Sequence, residues 1–142
     1  MGYTHYWERP RDFTSTEFSE VCAAASKILE TTSCPVFGHN GKGPPEIAPG
    51  RVALNGDATQ DLDHETFEIT RSKPDYEFCK TARKPYNVVV TALLTYLSNT
   101  WDFRVDSDGD PSDWDAGVAL AEQALGRRFY NPMVLESLRG AA

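Results

Sequence analysis

A cluster of cationic and hydroxyl side chains lies directly before the most apolar stretch of the chain. Lys80, Thr81, Arg83 and Lys84 fall within five residues and lead into the run that begins at Val88. Arginine offers a planar fork to a phosphate, lysine a point charge and threonine a hydroxyl. A helix start adds unpaired N–H groups and a positive dipole end. We therefore predict an anion site for a small phosphate-bearing ligand. The alternative is a solvated basic patch that pairs with the abundant acids.

Aromatic and acidic residues elsewhere would hold the rest of such a ligand. Four further ligand-binding residues are predicted: Trp7, Tyr86, Trp114 and Asp108. The aromatic residues would stack on a base or ring, and the aspartate would accept a hydrogen bond from a sugar or base. The expected pocket lies between the Lys80–Lys84 loop, the first strand and the Asp106–Asp110 loop. A nucleotide signal is the ligand that best fits this set.

Alternating carboxylates suggest a weak metal site. Asp106, Asp108 and Asp110 occupy every second position, as in the first part of a calcium loop. Pro111 stands where that loop needs glycine, and Gly117 where it needs the bidentate glutamate, so a standard EF-hand is excluded. A looser magnesium or calcium site is left open. The alternative is a turn followed by a helix cap, since aspartate and serine favour both places.

Two residues are candidates for catalysis, His5 and Cys79. Cys79 precedes Lys80 near a helix start, which is the electropositive setting that lowers a thiol pKa. His5 would act as the base, or as the general acid or base of a metal-assisted hydrolase. The alternatives are structural: Cys79 in a buried connection, and His5 on a strand face that it shares with Tyr3 and Trp7 in the core.

The periodicity of apolar residues predicts the elements that position these side chains. Strands are expected at 2–9, 51–55, 65–70 and 101–105, and helices at 15–30, 85–99 and 111–125, with a long loop at 31–50. This order predicts a single α+β domain over residues 1–142, with a mainly antiparallel sheet and about three helices packed mostly on one face. The segment 127–142 is expected to be a loosely attached tail.

Composition limits the classes of function. The chain of 142 residues has a formal net charge of −7, which argues against binding to double-stranded DNA. Its three cysteines have no C-x-x-C spacing, so a disulfide framework or zinc ribbon is not expected. No signal peptide or apolar span of about 20 residues is present, so we expect a cytosolic protein without a membrane partner. No organic cofactor is expected, and homo-oligomer formation is left open.

Several short motifs together resemble a known group of sequences. They are Met1–Trp7, Asn55–Asp57, Glu65–Phe67, Phe78–Tyr86, and Ser107–Asp110 with Asp113 and Trp114. In these motifs the chain resembles a family of small uncharacterised proteins encoded by bacteriophages and prophages. The resemblance implies a role in host takeover or counter-defence, and it supplies no catalytic residues.

Three hypotheses follow from the sequence. The first is sequestration of a nucleotide signal in the predicted pocket. The second is metal-assisted hydrolysis of such a ligand. The third is an inhibitor that presents its acidic surface to a host enzyme, which predicts a salt-sensitive protein complex and no small-molecule ligand.

Overall fold

The chain folds into four helices and six strands. The computed structural model describes residues 2–141, so Met1 of the opening motif and Ala142 of the expected tail lie outside it. The elements are β1 (Thr4–Glu8), α1 (Ser15–Thr31), β2 (Glu46–Ala48), β3 (Arg51–Leu54), β4 (Phe67–Thr70), β5 (Phe78–Lys80), α2 (Asn87–Trp101), β6 (Arg104–Ser107), α3 (Asp115–Leu125) and α4 (Pro132–Ala141). The predicted α+β class with antiparallel strands is confirmed.

The strands divide between two antiparallel sheets. One has the order β5-β1-β6 and the other the order β2-β3-β4. In the first sheet Tyr6 lies opposite Phe78 on one side and Asp106 on the other, and Glu8 lies opposite Arg104. Residues that lie directly opposite each other share a face of the sheet. The register therefore brings residues from three distant parts of the sequence onto one surface.

Helix α1 begins at the capping box that its sequence predicts. The Thr14 hydroxyl accepts from Glu17 N at 3.1 Å, and the Glu17 carboxylate accepts from Thr14 N at 2.8 Å. This pair satisfies two N–H groups that the first turn leaves without helical partners. The apolar stripe of the helix, which includes Phe18 and Ile28, is fully buried in the core.

Helix α2 forms the centre of the core and is buried on nearly every side between Val89 and Ser98. Helix α3 crosses it closely at Gly117, where an added Cβ would overlap the side chain of Thr91. None of the helices within residues 2–141 has the length and apolar character needed to span a bilayer.

The two faces of the β5-β1-β6 sheet have different surroundings. Tyr3, His5 and Trp7 point to the inner face and are at most 4% exposed. Tyr6 points to the outer face and is 45% exposed. The helices cover the inner face, so the outer face is left open to solvent.

A buried ion pair anchors the end of β1. The Arg9 guanidinium contacts the Glu77 carboxylate at 3.2 Å and donates to the carbonyls of Thr70 at 2.6 Å and Ser72 at 3.1 Å. Burial lowers the pKa of Arg9 and raises the pKa of Glu77, since both charges lose water. The segment between β4 and β5 is thereby held against β1.

Two strands and one helix were not expected from the sequence. Strand β2 lies within the stretch predicted to be a loop, and β5 occupies the start of the predicted cationic loop, because each pairs with a partner strand. The expected strand at 101–105 is displaced, since α2 continues to Trp101 and β6 follows it at Arg104.

The C-terminal segment is held more firmly than the sequence predicts. Instead of a loose tail it forms α4, which packs against β6 and α2. Arg139 of α4 donates to the Phe103 carbonyl at 3.1 Å and to the Ser98 carbonyl at 3.3 Å. Phe129, which precedes α4, is 9% exposed and packs against the core.

Candidate functional site

The predicted phosphate pocket is assembled only in part. Strand β1 lies between β5 and β6, so the three predicted segments are neighbours. Thr4 of β1 lies opposite Lys80, and its N–H donates to Asp108 Oδ2 at 3.0 Å. Asp108 therefore ties the loop after β6 to β1, although its side chain is still exposed.

The cations of the turn between β5 and α2 have partners within the chain. The Arg83 guanidinium lies 3.9 Å from the ring centroid of Tyr3, and its Nη1 is 3.6 Å from Asp113 Oδ1. Lys84 Nζ donates to the Asp61 carbonyl at 2.8 Å. Arg83 and Lys84 nevertheless line a common hollow of about 270 Å³ at the start of α2. Lys80 lies outside the lining of this hollow, in strand β5.

The three aromatic residues predicted to stack on a ligand are in the core. Trp7 is 3% exposed, and Tyr86 and Trp114 are 0% exposed. The Tyr86 hydroxyl donates to the Glu65 carbonyl at 2.6 Å, which fixes it inside the protein. This part of the prediction is wrong because the apolar area of these rings is used to pack the two sheets against the helices.

His5 is enclosed in a buried polar network and does not face a ligand. Its Nε2 lies 2.7 Å from Asn87 Oδ1, and its Nδ1 lies 2.8 Å from Ser107 Oγ. The Asn87 oxygen also accepts from the Thr81 hydroxyl at 2.8 Å. An amide oxygen accepts hydrogen bonds, so Nε2 carries the proton and Nδ1 accepts from Ser107. Burial lowers the pKa of His5. The roles predicted for His5 and Thr81 are replaced by structural ones.

Cys79 is also unsuited to nucleophilic chemistry. The side chain is 0% exposed, and burial, with a further contribution from Glu65, raises the pKa of the thiol to about 12. A thiol of this kind carries almost no thiolate at neutral pH. The electropositive setting predicted from the neighbouring lysine is absent because Lys80 points to the opposite face of strand β5.

The three aspartates of the predicted metal site have separate local roles. Asp106 Oδ1 accepts from Ser107 N at 2.8 Å, and Asp108 caps the backbone of Thr4. Asp110 N donates to Asp113 Oδ2 at 2.8 Å at the turn before α3. Within residues 2–141 no group of three or more histidine, cysteine, aspartate or glutamate side chains is arranged to hold a metal ion.

A different site lies on the outer face of the β5-β1-β6 sheet. A groove of about 610 Å³ runs over this face between the segment before β5 and helix α4. We call it the acidic groove. Its lining residues are Tyr6, Trp7, Glu8, Asp75, Tyr76, Glu77, Phe78, Arg104, Val105, Asp106 and Glu136.

Three aromatic rings in the acidic groove are open to solvent. Tyr6 is 45% exposed, Phe78 54% and Tyr76 84%. Tyr6 and Phe78 are direct cross-strand neighbours, and Tyr76 precedes them in the segment that Arg9 anchors. Large exposed aromatic groups close together are typical of binding surfaces.

Carboxylates dominate the charge of the acidic groove. Glu77 and Glu136 are paired with Arg9 and Arg139, respectively. The other three carboxylates, those of Glu8, Asp75 and Asp106, form no ion pair within residues 2–141. One arginine, Arg104, also lines the groove. The free charge of the acidic groove is therefore negative, and it favours a cationic ligand.

The sequence contained one signal for this site. Residues of β1 alternate strictly, so Tyr6 and Glu8 had to face away from Tyr3, His5 and Trp7. What the sequence did not show is that Phe78 and Asp106 would flank Tyr6, because that depends on pairing between distant segments.

Comparison with known proteins gives no further identification: no family model, no curated protein and no solved structure matches the chain.

Proposed function

We propose that this protein binds a positively charged segment of a partner protein in the acidic groove. The observation that carries the proposal is the combination of three exposed aromatic rings with three unpaired carboxylates on one sheet face. This places the third hypothesis from the sequence, the acidic inhibitor of a host enzyme, ahead of the other two. The resemblance to phage-encoded proteins is the reason for proposing a host protein in the cytosol as the partner.

The shape of the site supports an extended peptide segment as the occupant. A groove over a sheet face is open along its length, and its volume of about 610 Å³ is in the range of well-formed ligand sites. Exposed tyrosines contribute large contact area at low entropic cost, as they do in other protein-binding surfaces. A nucleic acid is disfavoured since its phosphates would meet carboxylates here.

A charge-matched pair of variants tests the proposal. Glu8→Gln/Asp106→Asn removes two negative charges from the acidic groove, and Glu20→Gln/Glu30→Gln removes two exposed ones from α1. With a short, unstructured peptide rich in lysine and arginine as the probe, we expect the groove variant to bind about tenfold more weakly at low salt. The α1 variant should bind like the original protein, and Arg104→Gln should bind more tightly.

Two results would contradict the proposal. Equal weakening by the two double variants would mean that the probe responds to net charge alone. Concentration-dependent self-association in sedimentation experiments, abolished by Glu8→Gln/Asp106→Asn, would assign the groove to a second copy of the chain. The exposed Arg127-Arg128 pair, a basic segment on the chain itself, makes that outcome measurable.

A second proposal concerns the hollow at the start of α2. Arg83 and Lys84 line it together, which supports weak binding of a phosphate-bearing ligand such as a nucleotide. Replacing both with alanine should abolish nucleotide binding in calorimetry, with little change in melting temperature because both side chains are on the surface. Unchanged nucleotide affinity in this variant would remove the proposal.

A further inference from the structure

We infer that the anchor of the segment bound in the acidic groove is an arginine, whose guanidinium lies on the ring of Tyr6 or Phe78 and donates to Asp106. This inference rests on the proposed function and names the chemistry of the partner. It follows from the register of the outer sheet face, where Tyr6 has Phe78 on one side and Asp106 on the other.

The spacing of these three side chains fits a planar cation. Side chains directly opposite each other in an antiparallel sheet have Cβ atoms about 4.5–5.5 Å apart. A guanidinium that lies flat on one ring therefore reaches the neighbouring carboxylate with its edge. Arginine combines ring stacking with two parallel N–H donors in one plane, whereas a lysine ammonium is compact and more strongly hydrated. The arrangement therefore selects for arginine.

The same arrangement occurs inside this chain. Arg83 lies 3.9 Å from the ring centroid of Tyr3 and contacts Asp113 at 3.6 Å. That intramolecular group of tyrosine, arginine and aspartate has the same composition as Tyr6, Asp106 and the proposed guest. At the acidic groove the tyrosine and the aspartate are present, and the arginine is left to the partner.

Arg104 does not fill this place. It lies opposite Glu8 in the register, one pair further along β1 from Tyr6, and it forms no ion pair within the described chain. Its positive charge disfavours a second cation beside Glu8. The partner's arginine is therefore directed to the Tyr6 and Asp106 end of the groove.

Two peptides that differ only in their basic residues test the inference. Each is a short serine-rich segment, one with arginine and one with lysine at the same positions, and affinity for the full chain is measured by fluorescence anisotropy. We expect the arginine peptide to bind at least about tenfold more tightly. Tyr6→Leu and Asp106→Asn should each reduce that preference, whereas Tyr6→Phe should retain it because the ring remains.

The outcomes separate this inference from the proposed function. Equal affinity of the two peptides, with both weakened by Glu8→Gln/Asp106→Asn, would overturn the arginine anchor and leave the proposed function standing. Failure of both peptides to bind would overturn both. A preference for arginine that survives Tyr6→Leu would also contradict the inference, since the stacking surface would then lie elsewhere.

Discussion

A histidine without solvent contact dominates the chemistry at the scale of single residues. His5 lies between the rings of Tyr3 and Trp114, with centroid distances of 5.1 and 4.9 Å, and both of its nitrogens have polar partners. Protonation would turn Nδ1 into a donor facing Ser107. The neutral ring is therefore the form that the fold stabilises.

This predicts a loss of stability in mild acid. The pKa of His5 is lowered in the folded protein by burial, while Asp108 and Asp113 act in the opposite direction and Arg83 in the same one. The unfolded chain, with a pKa near 6.5, then binds the proton more readily. The contribution of His5 is complete above about pH 6.5 and falls as the pH drops below that value.

Urea unfolding between about pH 7 and pH 5 measures this contribution. The original protein should lose stability over this range, and His5→Gln, which keeps polar contacts without titrating, should lose less. His39→Gln, an exposed histidine, is the matched control. An NMR titration of the His5 ring provides an independent reading if His5→Gln does not fold. A ring that titrates above 6.5 would contradict the prediction.

Residue types alone gave the wrong role for several side chains. Alternation in β1 correctly grouped Tyr3, His5 and Trp7 on one face, because that grouping depends only on local geometry. Whether that face meets solvent or a helix depends on tertiary packing. The same limit applies to Tyr86 and Trp114, which are large enough to bind a ligand and equally suited to fill the core.

At the scale of elements, the contact between α2 and α3 depends on a missing side chain. Gly117 is buried, and its backbone lies against Thr91 of α2, where an added methyl group would overlap the hydroxyl. The two helices can approach this closely only with glycine at the crossing.

Gly117→Ala should therefore lower the free energy of unfolding by about 1–3 kcal/mol, the usual cost of an overpacked core. Gly50→Ala adds the same methyl group where no heavy atom lies within 4 Å, so it should be nearly neutral. Chemical denaturation of both variants measures the difference. Equal stability of the two would mean that α3 can shift away from α2 at no cost.

Elements specified by local signals were predicted well, and those specified by pairing were not. The capping box at Thr14 and Glu17 placed the start of α1 correctly. Strands β2 and β5 have three residues each and exist because β3 and β1 lie beside them. A three-residue strand carries too little periodicity to be detected without its partner.

At the scale of the whole molecule, the uneven distribution of charge matters more than its total. The net charge of −7 correctly directed attention to an acidic surface. It did not show where the unpaired carboxylates would gather, since Glu8, Asp75 and Asp106 come from three separate segments. The fold collects them with exposed aromatic rings on the one sheet face that the helices leave uncovered.

The most direct test of the account is to locate the surface that binds a cationic segment. Backbone and side-chain NMR signals of the full chain would be followed during titration with the arginine-containing peptide. We predict that the largest shifts are those of Tyr6, Tyr76, Phe78 and Asp106, and that salt reduces them. Shifts concentrated around α1, or spread evenly over the acidic surface, would contradict the central claim.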